Sequence, residues 1–163
     1  MTLGSNLNLA VANCGCEYFV RIDGDDWDSW RNIEKFIFIQ SCYWQIEERD
    51  YNACCPVYYI NSNGKERILH NAPQGAGIIW KTKVFKSLGG YDETLQYQAD
   101  LDFYIRFVQK YKKMEFSYIK YGWNINLESQ SLQRIKLLKQ RGKILKKYNL
   151  KDNEAPHFGA YFL

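Results

Sequence analysis

The sequence predicts a mixed α/β domain, a sheet flanked by helices, and three observations predict it. Hydrophobic residues make up 46% of the chain and charged residues 25%, the balance of a folded globular protein. Aromatics alone reach 17%, enough ring area to close a core without a structural metal or a disulfide framework. Helical and strand-like patterns then alternate, in the order helix, strand, helix, hairpin, strand, helix, helix, strand, helix. No internal repeat and no low-complexity linker interrupts them, and 163 residues suit one compact domain.

Each element has its own warrant. From Leu3 to Cys14 the apolar residues Leu3, Leu7, Ala10, Val11 and Cys14 fall at helical spacing, and Gly15 suits the helix end. Glu17 to Ile22 is a short β-prone run that stops abruptly at Asp23-Gly-Asp-Asp-Trp27. Trp30 to Tyr43 returns to helical spacing through Ile33, Phe36, Ile37 and Gln40. Pro56 to Ile60 and Glu66 to Leu69 read as a hairpin around the turn Asn61-Ser-Asn-Gly64. Gly77 to Trp80 is a short apolar strand, and Lys81 to Leu88 a short helix closed by Gly89 and Gly90. Ala99 to Tyr111 is an amphipathic helix with Leu101, Tyr104, Ile105 and Val108 on one face. Met114 to Tyr121 reads as a strand and Gln130 to Tyr148 as a final basic helix.

Charge and cysteines narrow the function classes. The net charge is only +4, and the excess gathers in Lys136, Lys139, Arg141, Lys143, Lys146 and Lys147, so nucleic-acid binding is not expected. Cys14, Cys16, Cys42, Cys54 and Cys55 lack paired CxxC spacing, and free thiols in a reducing cytoplasm are the expectation. The apolar runs are too short to span a bilayer. His70 and His157 are isolated and receive no role.

The chemistry-bearing residues lie in two clusters. Asp23, Asp25 and Asp26 crowd one turn, and Asp23 and Asp25, two apart, point the same way on extended backbone. Like charges so close need a cation or hydrogen bonds to offset them. A hard divalent ion that also takes phosphate oxygens suits the pair, although an isolated Asp-x-Asp is more often a solvated turn capping the next helix. An EF-hand loop is rejected, because Asp28 stands at its glycine position and Trp27 at an oxygen-ligand position. The second cluster is Gly89-Gly-Tyr-Asp-Glu93 followed by Gln98-Ala-Asp-Leu-Asp-Phe-Tyr-Ile-Arg106. There Asp100 and Asp102 open a helix, where carboxylates favour the dipole.

The two blocks together, over Gly4 to about Ser131, resemble the family 2 glycosyltransferases. Asn8 to Trp27 looks like that family's Asn-led helix, Gly-Glu-Tyr strand and Asp-Ala-Asp-Asp turn, with Cys16 where Gly is usual. Gly77 to Arg106 looks like its apolar strand, short helix, Gly-Gly-Tyr/Phe-Asp-Glu turn and Glu-Asp-x-Asp-Leu-x-x-Arg helix. The resemblance implies a GT-A-like mixed sheet flanked by helices and inverting, metal-dependent transfer of a sugar from a nucleotide-sugar donor to an acceptor hydroxyl. It implies Asp25 as the ligand of Mg²⁺ or Mn²⁺ and Asp23 as a second ligand, or beside the donor ribose or the metal's water shell. Asp26 and Asn8 are implied among the donor-binding residues. Asp100 is implied as the general base. The expected partners are the donor and a glycan or lipid-linked acceptor.

Three departures stand out. Ala99 replaces the usual Glu, and Trp123-Asn-Ile-Asn126 stands where the family often has Arg-x-His. The family's opening strands, with their base-reading Asp, have no counterpart before Gly4. The expectation is therefore an N-terminally truncated GT-A domain over 1–128, with a basic helix and tail over 129–163. The strand Glu17 to Ile22 should then lie at a sheet edge and favour self-association. Leu137, Leu138, Ile144 and Leu145 run beside the lysines of the final helix. Packing on the domain is the plainer reading of that stripe, and peripheral contact with the inner face of a membrane the second. Two other functions compete: a nucleotidyltransferase, which would need a basic Gly-rich triphosphate loop, and a non-catalytic remnant or interaction module, which would bind no donor.

Overall fold

The structure is a computed structural model, and it describes residues 2–23, 26, 50–62, 65–69, 73–112, 114–125 and 133–155. Residues 24–25 and 27–49, and with them Asp25, Cys42 and the expected helix Trp30 to Tyr43, lie outside the described residues. So do His70, His157 and the turn residues 63–64.

The described elements are α1 (Leu3–Asn13), β1 (Tyr18–Val20), β2 (Ala53–Ser62), β3 (Lys65–Leu69), β4 (Ile79–Lys81), α2 (Thr82–Ser87), α3 (Ala99–Tyr111), β5 (Glu115–Ile125) and α4 (Arg134–Lys147). A single 3₁₀ turn, Asp152–Glu154, follows. They form a mixed α/β arrangement around one open five-stranded sheet.

β2 is the middle of that sheet. On one side it runs parallel to β5, from Cys54 opposite Glu115 to Ser62 opposite Ile125. The register shifts between Cys55 and Val57, at Pro56, which has no N–H to give to a ladder. Ser117 fills the irregularity: its hydroxyl donates to Cys55 O at 3.4 Å and accepts from Ile119 N at 3.3 Å. On its other side β2 pairs antiparallel with β4 at Ala53 and Cys54, then with β3 from Tyr58 to Ser62. The hairpin expected from the sequence is therefore present, with a longer first strand. β1 pairs antiparallel with β4, Phe19 opposite Trp80, and the ladder is extended by Thr82 N to Glu17 O and Gly77 N to Arg21 O, both 2.8 Å. Among the described residues β1 pairs with β4 alone, which puts it at one end of the sheet.

Aromatic rings join sheet to helices. Trp80 of β4 meets Phe103 and Phe107 of α3 edge to face, at 4.9 and 5.1 Å between ring centroids. Phe85 of α2 packs against Phe19, Tyr91 and Phe103. The sequence assigns α3 one apolar face, but the helix is buried on two. Phe103 and Phe107 face this core, while Leu101 and Ile105 pack with Ile144, Leu145 and Ala155. The sandwiching of α3 between the sheet and α4 is the reason.

The cysteine expectation is corrected in part. Cys14 and Cys16 form a disulfide across the link from α1 to β1, while Cys54 and Cys55 are buried thiols. So short a loop removes little entropy from the unfolded chain, so the disulfide is a small contributor to stability. No helix among the described residues is long and apolar enough to cross a membrane.

Candidate functional site

The C-terminal end of β1 delivers Arg21 and Asp23, two residues apart and therefore pointing the same way. Arg21 grips Asp23 with both tines of its fork: Nε to Oδ1 and Nη2 to Oδ2, each 2.6 Å. Such bidentate pairs are the stronger kind of ion pair, and both partners here are at least partly buried. Burial works against the Arg21 charge, but the Asp23 carboxylate outweighs it, with help from Asp100, and holds the guanidinium firmly protonated.

Asp100 reaches the same place from the first turn of α3. Its Oδ1 accepts from Leu101 N at 2.9 Å. Gly75, in the loop before β4, shows how closely the groups meet. An ideal Cβ built there would stand 2.5 Å from Asp100 Oδ2 and 2.9 Å from Arg21 Nη1. Any side chain there would displace the carboxylate, the guanidinium or both. Burial raises the Asp100 pKa from the ordinary aspartate value, while the Arg21 charge and the Leu101 hydrogen bond pull it back. A narrow crevice runs behind this point, lined by Gln74, Gly75, Ile78, Tyr91, Asp100 and Tyr104 among others. Its loop is held by the buried Tyr58 hydroxyl, which accepts from Gln74 N at 3.3 Å and donates to Ala76 O at 2.7 Å.

Tyr91 completes the group. It is buried, which keeps its hydroxyl neutral, and it feels the charges of Arg21, Asp100 and Asp23. Asn8 sets its backbone: Nδ2 donates to Tyr91 O at 2.8 Å and to Glu93 Oε1 at 2.9 Å, and Oδ1 accepts from Tyr91 N at 2.8 Å. Gly90 allows this clamp, with φ at +70° and Asn8 Oδ1 2.5 Å from where a Cβ would be. Asp26 is buried at 2% exposure, where Tyr121 donates to its Oδ2 at 2.6 Å and accepts from Asp23 N at 3.3 Å. That tyrosine ties β5 to the acidic turn.

Of the residues singled out from sequence, Asp23 and Asp100 are brought together around Arg21. Asp26 lies behind them on Tyr121, and Asn8 braces the turn that carries Tyr91. Asp25 lies outside the described residues. Among the described residues no three His, Cys, Asp or Glu side chains gather as a metal-ligand group. Both oxygens of Asp23 are already engaged by Arg21, so a cation would meet the guanidinium's charge as well as the carboxylate's. Asp102 is not part of the cluster. It is fully buried and bonded by Arg106, Lys147 and Tyr148.

Sequence reading missed Arg21, Gly75, Tyr91 and Tyr121. Arg21 carried a usable signal, a charge in an otherwise apolar strand two residues before an acidic turn. Gly75 carried none beyond its neighbour Pro73. No protein-family model matches the chain, and no curated protein matches it.

Proposed function

We propose that the chain is a glycosyltransferase of GT-A-like fold, moving a sugar from a nucleotide-sugar to an acceptor hydroxyl. The observation that supports this reading is that Asp23 and Asp100, distant in sequence, come near one guanidinium, Asp23 paired with Arg21 directly and Asp100 within reach of its charge. In open α/β sheets ligands bind at the C-terminal ends of strands, and Asp23 follows such an end.

In this reading Asp100 is the general base. The acceptor oxygen attacks the anomeric carbon, and its proton passes to the Asp100 carboxylate as the new C–O bond forms. The bond from that carbon to the diphosphate oxygen breaks with its electron pair, releasing the nucleoside diphosphate with inversion. Burial makes Asp100 a stronger base than a solvated aspartate. Arg21 lets two carboxylates share the site without mutual repulsion, and with Asp23 so engaged, a place beside the ribose or the metal's water shell suits Asp23 better than direct ligation. Asp25 is the residue left to hold Mg²⁺ or Mn²⁺, which when bound would neutralise charge on the leaving diphosphate. The mixed sheet, in which β1 pairs among the described residues with β4 alone, is compatible with the GT-A reading.

The test is titration calorimetry with uridine, guanosine and thymidine diphosphates, each with and without Mn²⁺. Metal and diphosphate should bind more tightly together than apart, and Asp25→Ala should remove the synergy. Equal diphosphate affinity with and without metal would sink the reading. Transfer of a nucleotidyl group from a nucleoside triphosphate would replace it with a nucleotidyltransferase.

A further inference from the structure

The apolar stripe that the sequence gives to the final helix divides in the structure. Leu137, Arg141, Ile144 and Leu145 of α4 turn inward and are buried. Leu138 does not follow them: it is 47% exposed, and Ile135, one turn earlier, is 71% exposed. At 3.6 residues per turn Ile135, Leu138, Lys139, Gly142 and Lys146 share the outer face. Arg134 lies along one flank of it, and Lys136 and Lys143 along the other. All these cations are exposed. No Asp or Glu occurs anywhere in Arg134–Lys147. Among the described residues Lys147 is the one lysine of the helix with acidic partners, and Asp102 and Asp92 hold it away from this face. Lys139, Lys143 and Lys146 have no acidic partner among the described residues.

We infer that the outer face of α4 docks on an anionic lipid surface, with Ile135 and Leu138 entering the headgroup boundary and the surrounding lysines and arginine meeting lipid phosphates. Charge complementarity selects the occupant, because a run of cations without one acid fits a negative surface. The two aliphatic side chains at its centre decide between polyanions. A nucleic acid offers them little apolar surface, whereas the acyl boundary of a bilayer takes them at a gain. Gly142 lies on the same face, and no described residue stands within 4 Å of a Cβ added there. The inference does not depend on the transferase reading, since lipid binding needs neither donor nor metal.

The experiment is co-sedimentation of the full chain with phosphatidylcholine vesicles, with and without phosphatidylglycerol, at about 0.1 M salt. Binding is expected only with the anionic lipid. Lys139→Gln with Lys143→Gln should weaken it about tenfold or more, and Ile135→Ser with Leu138→Ser by a similar factor. Gly142→Leu should strengthen it several-fold, roughly as one more aliphatic anchor allows, while the variant stays in the supernatant when vesicles are omitted. No binding to anionic vesicles, equal binding to neutral ones, or retained binding in the variants would each overturn the inference. So would RNA binding as tight as lipid binding and unchanged by Ile135→Ser with Leu138→Ser.

Discussion

Lys147 of α4 donates to the fully buried carboxylate of Asp102 on α3 at 2.9 Å, and this bond ties the last helix to the one that carries Asp100. Tyr148 donates to the same oxygen at 2.8 Å, and Arg106 to the other at 2.9 Å. Arg106 also donates to Leu88 O and Gly90 O, so three segments meet at one carboxylate. Asp102→Ala leaves these donors facing a void. The expected loss is about 3 kcal/mol, near the low end for breaking a buried pair, or roughly 6–12 °C in Tm for a chain of this size. Thermal unfolding followed by circular dichroism measures it, and a change of less than about 1 kcal/mol would show that the network is not structural.

Asp100 has the opposite sign. Its folded pKa is raised, first by burial, so the folded state binds this proton more tightly than the unfolded state. Stability from this group is full below the ordinary aspartate value and is lost as pH rises through the folded value. Asp100→Asn removes that loss while its side-chain oxygen can still accept from Leu101 N. The variant should be more stable than wild type near neutral pH and no more stable in acid, while losing transfer activity. Melting curves of both proteins from about pH 4 to about pH 8 test the slope; parallel curves would contradict it.

Gly75→Ala separates site from scaffold. The added methyl meets the ends of two flexible side chains, Asp100 Oδ2 and Arg21 Nη1, rather than backbone. Stability should change by less than about 1 kcal/mol. Transfer activity should fall about a hundredfold, because displacement of a base by about 1 Å is enough. Full activity in the folded variant would mean that the Asp100–Arg21 approach is not used.

The sequence made the elements legible where period and punctuation agree. α3 begins and ends at Ala99 and Tyr111 as its spacing predicts, and the Gly89-Gly90 stop of the preceding helix is where the chain turns. Length was less visible in β2 and β5, because their pairing with each other, a long-range event, extends both beyond their apolar runs. The second buried face of α3 was hidden for a similar reason: α4 covers it, and a helix's own period does not reveal a second neighbour. At the site, the carboxylates stood out by type and spacing. Arg21 showed only as a charge two residues before the acidic turn, because a residue's electrostatic importance depends on what the fold places across from it. Asn8 was expected among the donor-binding residues, and its observed bonds are to the turn around Tyr91.

Arg21 is the residue whose replacement says most about the site. Its charge lowers the Asp100 pKa, against the burial that raises it, and both its tines hold Asp23. Arg21→Met removes the charge and keeps most of the packing. Two carboxylates then face each other unopposed, so the Asp100 proton should be held to higher pH than in wild type. A base must be deprotonated to act, so the acid limb of the kcat/KM profile should move upward. The Asp100 carboxyl-carbon titration, read by NMR, should move in the same direction, and that readout needs no activity. Arg21→Lys keeps a cation but not the fork, so it should restore much of the titration while leaving activity about tenfold or more below wild type. A purely structural arginine would lower the amplitude of activity in both variants and leave the Asp100 titration where it was.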